Sequence, residues 1–201
     1  MDKKIISVGL ASLLLVLVAT LAVYWFGQSA SFRGTSYGEP FPVAASFELT
    51  RADGEIFRLS DQRGKIVLLF FGYTACPDVC PTTMGEMKQV VDALGDKAEA
   101  VQVVFVSVDP DRDTSQSMQK YVEHFNQDFI GLSGSMDELS PIWDAYGIVR
   151  TVNQTSASAM GYIIDHTARV FLVDANGNLR LSYGFQTPVE DIVHDIKILL
   201  R

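Results

Sequence analysis

Ile66-Val-Leu-Leu-Phe-Phe71 runs straight into Gly72-Tyr-Thr-Ala-Cys-Pro-Asp-Val-Cys-Pro81, and the reading of this stretch decides the fold. An unbroken apolar run of six residues reads as a strand buried on both faces. After the second Cys, apolar residues stand at Met84, Met87, Val91 and Leu94, which is helical spacing, and Gly95 ends the pattern. Pro81 suits the first position of a helix and disfavours α geometry at Cys80. The expected helix therefore spans 81–94, and Cys76 to Cys80 is a tight turn in front of it. Both sulfurs then lie at a helix N-terminus, where the backbone N–H dipoles favour thiolate over thiol.

The pattern continues outward on both sides. Phe47-Glu-Leu-Thr50 and Glu55-Ile-Phe-Arg-Leu59 alternate around Asp53-Gly54, a type I′ hairpin signal. Val101 to Val108 is a second buried strand. Thr114 to Phe125 reads as a helix capped by Thr114 or Asp113, and Ser135 to Tyr146 as another, capped by Ser135 and ended by Gly147. Strands 168–173 and 178–183 are joined by Asn176-Gly177, and a helix over 187–200 closes the chain with Pro188 at its first position. The order is a hairpin, then βαβα, a further helix, then ββα. Strand–helix alternation implies a parallel sheet core covered by helices, with antiparallel strands added by the terminal ββα. This is the thioredoxin-type α/β arrangement, and its chemistry sits just after the first buried strand, where both Cys lie.

The rest of the chain bounds the function classes. Its 201 residues carry 16 Lys+Arg against 24 Asp+Glu, a net charge of −8. That balance excludes a nucleic-acid binder, which needs basic charge against phosphate. Two Cys exclude a disulfide-rich scaffold. Ile5 to Phe26 has no charge and is long enough, at about 1.5 Å per residue, to cross a hydrocarbon core of about 30 Å. Lys3 and Lys4 precede it and Tyr24-Trp25-Phe26 close it. This predicts a cytoplasmic stub (1–4), a single transmembrane helix (5–26) and an outward-facing domain. The rival is a cleaved signal peptide, for which Ser29-Ala30-Ser31 is a weak processing site. Without an Arg-rich presequence, a bacterial inner membrane with the domain on its periplasmic side fits best. Residues 27–45, rich in Gly, Ser and Pro, read as a flexible linker, and 46–201 as the thioredoxin-like domain.

Cys76 and Cys80 are spaced C-x₃-C, not the C-x₂-C of thioredoxin-type redox sites. Outside the cytoplasm such a pair forms a disulfide or holds a soft metal ion. A purely stabilising disulfide would close a short loop in a domain that does not need one. His166, in Ile164-Asp-His-Thr167, precedes the strand 168–173 at the place where oxidoreductases of this fold carry a cis-Pro; no Pro lies between Pro141 and Pro188. A lone His is more often structural than a ligand. Here Cys76, Cys80 and His166 together make a Cys₂His set that suits Cu(I) and accepts Cu(II) or Zn(II). His124 and His194 fall on polar helix positions, and Met84 and Met87 coincide with the core stripe. Asp109-Pro-Asp-Arg-Asp-Thr114 follows the second strand; it is a helix-capping loop, or else Asp109 or Arg112 supports the site or a docking face.

Phe70-Phe-Gly-Tyr-Thr-Ala-Cys-Pro-Asp-Val-Cys-Pro-Thr-Thr83, Val106-Ser-Val-Asp-Pro-Asp-Arg-Asp-Thr114 and Tyr162-Ile-Ile-Asp-His-Thr167 together resemble the Sco/SenC family of copper-binding, thioredoxin-like proteins, over about residues 40–201. Ala75 and Ser115 are minor departures. The resemblance implies copper held by Cys76, Cys80 and His166. It implies delivery to the CuA centre in subunit II of cytochrome c oxidase, with copper received from an upstream donor. A thiol–disulfide oxidoreductase that reduces the CuA-site cysteines is the rival role within the family. A peroxiredoxin-like peroxidase is a weaker one, because it needs a single activated Cys beside an Arg.

Overall fold

The computed structural model describes residues 12–20, 31–154 and 161–201. The chain divides into two compact units, Met1–Ser31 and Phe32–Arg201. In the first, residues 12–20 are helical and exposed. Most of the expected 5–26 anchor lies outside the described residues. Among the described residues no helix is long and apolar enough to cross a membrane.

The second unit is built on a six-stranded mixed sheet. Its strands are β1 (Thr35–Ser36), β4 (Ile66–Gly72), β5 (Val101–Ser107), β6 (Ile130–Leu132), β9 (Arg169–Val173) and β10 (Leu179–Gly184), in the order β1-β10-β9-β4-β5-β6. β4, β5 and β6 are parallel, while β9 runs antiparallel to β4 and to β10. Every residue of β4 and β5 is buried, so both faces of the sheet centre are covered, as the unbroken apolar runs require. The helices are α1 (Val79–Leu94), α2 (Ser115–Glu123), α3 (Met136–Ala145) and α4 (Val189–Leu199). Thr114 and Ser135 cap α2 and α3 through capping boxes with Ser117 and Glu138, as the sequence predicts for the cap positions. Met84 and Met87 are fully buried on α1.

Two small hairpins flank the sheet: β2 (Glu48–Thr50) with β3 (Ile56–Arg58), and β7 (Arg150–Gln154) with β8 (Tyr162–His166). The first is not the expected type I′. Gly54 alone in the turn has a positive φ (+87°), and its N–H bonds to the Arg51 carbonyl, so Ala52 and Asp53 take ordinary turn geometry. The second hairpin was not legible as one: β7 reads Arg-Thr-Val-Asn-Gln, too polar to show as a strand.

Three further readings are corrected. α1 starts at Val79, not Pro81, and Pro81 sits inside the first turn. The first four N–H groups of a helix have no intrahelical partner, so a proline there removes nothing. Pro188 is the N-cap of α4 and not its first residue. The domain boundary at 45/46 also falls inside the folded unit. Residues 32–45 are held to it by the β1–β10 pairing, by Leu179 N–H to the Pro42 carbonyl, and by the buried Asp195 carboxylate, which accepts the Arg33 and Gly34 N–H groups at 3.0 and 2.8 Å. Composition marked this segment as flexible, but backbone hydrogen bonds to distant residues order it.

Candidate functional site

β4 delivers the chain at Gly72 into the loop Tyr73–Asp78 at the C-terminal end of the parallel strands, where sites of open α/β sheets form. Gly72 is required there. A Cβ on it would stand 2.7 Å from both the Cys80 Sγ and the Phe105 ring, so a side chain would push the Cys80 sulfur off the sheet. Asp113, 3 % exposed, holds the same loop: its carboxylate accepts from the Thr74 hydroxyl (2.5 Å), the Thr74 N–H (3.3 Å) and the Ser107 hydroxyl (2.7 Å). Burial pushes its pKa up, and these donors oppose the rise.

Both Cys are free thiols, Cys76 half-buried and Cys80 fully buried. The Cys80 N–H, one of the unpaired donors of the α1 N-terminus, points at the Cys76 sulfur (3.4 Å). That bond gives the helix start a sulfur cap in place of the Asp78 side chain, which makes no capping bond. Hydrogen bonding from the Cys80 thiol lowers the Cys76 pKa to about 3, aided by His166 and by the N–H groups of Asp78 and Cys80, and opposed by burial. The same bond, together with burial, pushes Cys80 up. One proton serves the pair and resides on the buried sulfur, leaving the half-exposed Cys76 as thiolate.

His166 does not merely precede the strand 168–173, as its sequence position suggested; it ends its own strand, β8. Its Nε2 lies 3.6 Å from the Cys80 Sγ. Its Nδ1 lies 3.2 Å from the Thr167 carbonyl, which can only accept. Nδ1 therefore carries a hydrogen, and Nε2 is the ring atom that faces the dithiol. The edges of Phe70 and Tyr73 pack the ring. Tyr73, Pro77, Val79, Ile163 and His166 line a hollow of about 220 Å³ in which Cys76 is accessible. A larger hollow of about 720 Å³, lined by Arg51, Lys65, Gln102 and Asp128 among others, contains none of these groups. Among the described residues no cluster of three or more His, Cys, Asp or Glu has the spacing of a finished metal cage. The site is a hydrogen-bonded dithiol with an imidazole against its buried sulfur.

The remaining candidates separate cleanly. His124 bonds the Lys120 carbonyl at the end of α2, and His194 pairs with Asp195. Asp109 and Arg112 pair with each other at 2.5 Å and engage Tyr162 on β8. Sequence reasoning left three contributors unassigned: Tyr73, Asp113 as the holder of the Cys loop, and Tyr162. The alternation Tyr162-x-Ile164-x-His166, which puts all three on one face of a strand, was the available signal.

Comparison with known proteins agrees with this geometry. The SCO1/SenC family model matches residues 35–201, nearly the whole second unit. The chain belongs to the SCO1/SenC family. Within it, a SCO2-like protein of Rickettsia conorii is 33% identical over 155 residues, covering 77% of this chain and 76% of the relative. Among solved structures, the family member ScoI of Bradyrhizobium japonicum, with copper bound, superimposes with a TM-score of 0.70 at 34% identity, over 78% of this chain and 99% of that one. The apo Sco1 protein of Thermus thermophilus gives 0.75 at 38% identity, over 86% and 99%. The thioredoxin-like α/β fold is thus that of the family.

Proposed function

We propose that this chain is a membrane-anchored copper metallochaperone. Cys76, Cys80 and His166 hold the ion, which passes to the CuA site of cytochrome c oxidase subunit II. The observation that carries the reading is the His166 Nε2 set 3.6 Å from the Cys80 sulfur. Two thiolates and one imidazole are a soft donor set suited to Cu(I), and the Cys76 thiolate needs no base to bind it. The relatives' bound copper supports the same cargo. Cys76 is the accessible sulfur, so an incoming thiolate approaches the ion from its side.

A second reading rests on the same thiols. A half-exposed thiolate beside a buried thiol is also the arrangement of a dithiol reductase. Cys76 would attack a sulfur of the oxidase's CuA-site disulfide, and Cys80 would resolve the mixed disulfide. Two electrons and the single proton of the pair would pass to the partner, which leaves as one thiol and one thiolate, and Cys76 and Cys80 would close as a disulfide.

His166→Ala separates the two readings, because disulfide exchange does not need the imidazole. The expected result is one copper per wild-type chain with intense thiolate-to-Cu(II) absorption. In the variant that absorption is lost and Cu(I) binding is weakened, while Cys76 and Cys80 still cycle between dithiol and disulfide and CuA absorbance falls in membranes of cells grown at low copper. A variant that binds copper poorly yet assembles CuA normally would reject the carrier in favour of the reductase.

A further inference from the structure

β7 and β8 form a two-stranded sheet that pairs with no other strand among the described residues. An isolated two-stranded hairpin is marginal in water, so something else must hold this one if His166 is to keep its place. The side chains alternate along β8. Tyr162, Ile164 and His166 share one face, and Ile164 is 3 % exposed while Asp165 is exposed. Each residue of that face meets a different part of the domain. Tyr162 donates its hydroxyl to Asp109 Oδ1 (2.7 Å), its carbonyl accepts Arg112 Nη1 (3.0 Å), and its ring lies under the Arg112 guanidinium (3.7 Å). The Asp109 side chain is completely buried and also receives Arg112 Nε, so both oxygens are engaged. The Ile164 N–H is donated to the Tyr73 hydroxyl (3.1 Å). Tyr73 is itself buried, stands three residues before Cys76, and packs its ring edge-on to His166.

We propose that Tyr73, Asp109 and Arg112 are positioning residues that clamp β8 at two points and thereby keep His166 against the dithiol. The clamp joins the segments after β4 and after β5 to the hairpin that carries the imidazole. Tyr73 is its central member, because the loop that bears Cys76 and the strand that bears His166 meet at its hydroxyl. This rests on the proposed ligand set. It adds that the residence time of copper is set by residues that never touch it. Releasing β8 frees the imidazole first and leaves the ion on two sulfurs, the form from which a competing thiolate takes it.

The test uses the detergent-solubilised full chain with Tyr73→Phe and Tyr162→Phe, each of which removes one hydroxyl and keeps the ring, beside His166→Ala. Three quantities are read: apo thermal midpoint, amide exchange along β8, and loss of Cu(I) to a chromophoric chelator. The Tyr162 hydroxyl is worth about one hydrogen bond and touches neither sulfur, whereas that of Tyr73 also meets Cys76, so Tyr162→Phe decides: exchange at Ile164–His166 and Cu(I) loss should each rise about tenfold while the thermal midpoint moves only a few degrees. Wild-type exchange and wild-type copper loss in that variant would overturn the clamp. If His166→Ala itself released copper at the wild-type rate, the ligand assignment would fail instead, and β8 amide exchange alone would decide the clamp.

Discussion

At the scale of single residues, the site's asymmetry comes from burial. Cys76 and Cys80 are chemically identical in the sequence, yet one is half-exposed and the other is pressed against β4 at Gly72. The buried sulfur keeps the proton and donates toward the exposed one. Because the Cys76 pKa is lowered to about 3 from the usual thiol value, its thiolate fraction stays near one as pH falls from 8 to about 5, and reactivity persists where ordinary thiols are quenched. In the apo protein we expect iodoacetamide to modify Cys76 first, at a rate nearly flat between about pH 5 and 8. Cys80→Ala removes the principal donor, so the titration of Cys76 should move back up and its rate at about pH 5 should drop at least tenfold. Mass-spectrometric alkylation kinetics across that range would measure both, and a wild-type profile rising through pH 8 would contradict the assignment.

At the scale of elements, each loop that bears chemistry is fixed by a buried carboxylate. Asp113 holds the Cys loop, Asp109 holds β8, and Asp195 holds the segment leading into β1. Asp195 is the most heavily used: it accepts from two backbone N–H groups, the Tyr183 hydroxyl and His194. Replacing it by Asn keeps the size but removes the charge and turns one acceptor into a donor facing other donors. We expect Asp195→Asn to cost about 2–3 kcal/mol of domain stability, the scale of hydrogen bonds to a charged group. It should also open the Arg33 peptide bond to trypsin and leave the affinity for copper unchanged. Denaturant melts, limited proteolysis and copper titration read the three effects. A variant as trypsin-resistant as wild type would show that β1 pairing alone holds the segment.

At the scale of the whole molecule, the chain pairs an uncharged N-terminal run with a folded unit that starts at Phe32. Residues 32–45 dock onto that unit through β1 and Asp195. We expect the full-length chain to remain in the membrane fraction after alkaline carbonate washing, with its domain open to protease from the outer side. A soluble periplasmic form beginning near Ser31 would instead identify the run as a signal peptide.

Local physical chemistry was enough for the buried strands and the capped helices. An apolar run and a Ser or Thr cap each act within a few residues, so Ile66–Phe71, Thr114 and Ser135 are visible in one dimension. The place of His166 before the strand 168–173, and then the resemblance, suggested pairing it with Cys76 and Cys80. Tertiary structure decided the rest, because the forces involved act between residues far apart in sequence. Phe32–Ala45 looks like a tether until Asp195 and β10 supply its hydrogen bonds. The polar β7 is a strand only because β8 pairs with it. Pro81 lies within α1 because the orphan N–H of Cys80 finds the Cys76 sulfur. The proton on the dithiol and the place of His166 belong to the same class: both follow from which groups the fold buries beside each other, and burial is a property of the assembled core.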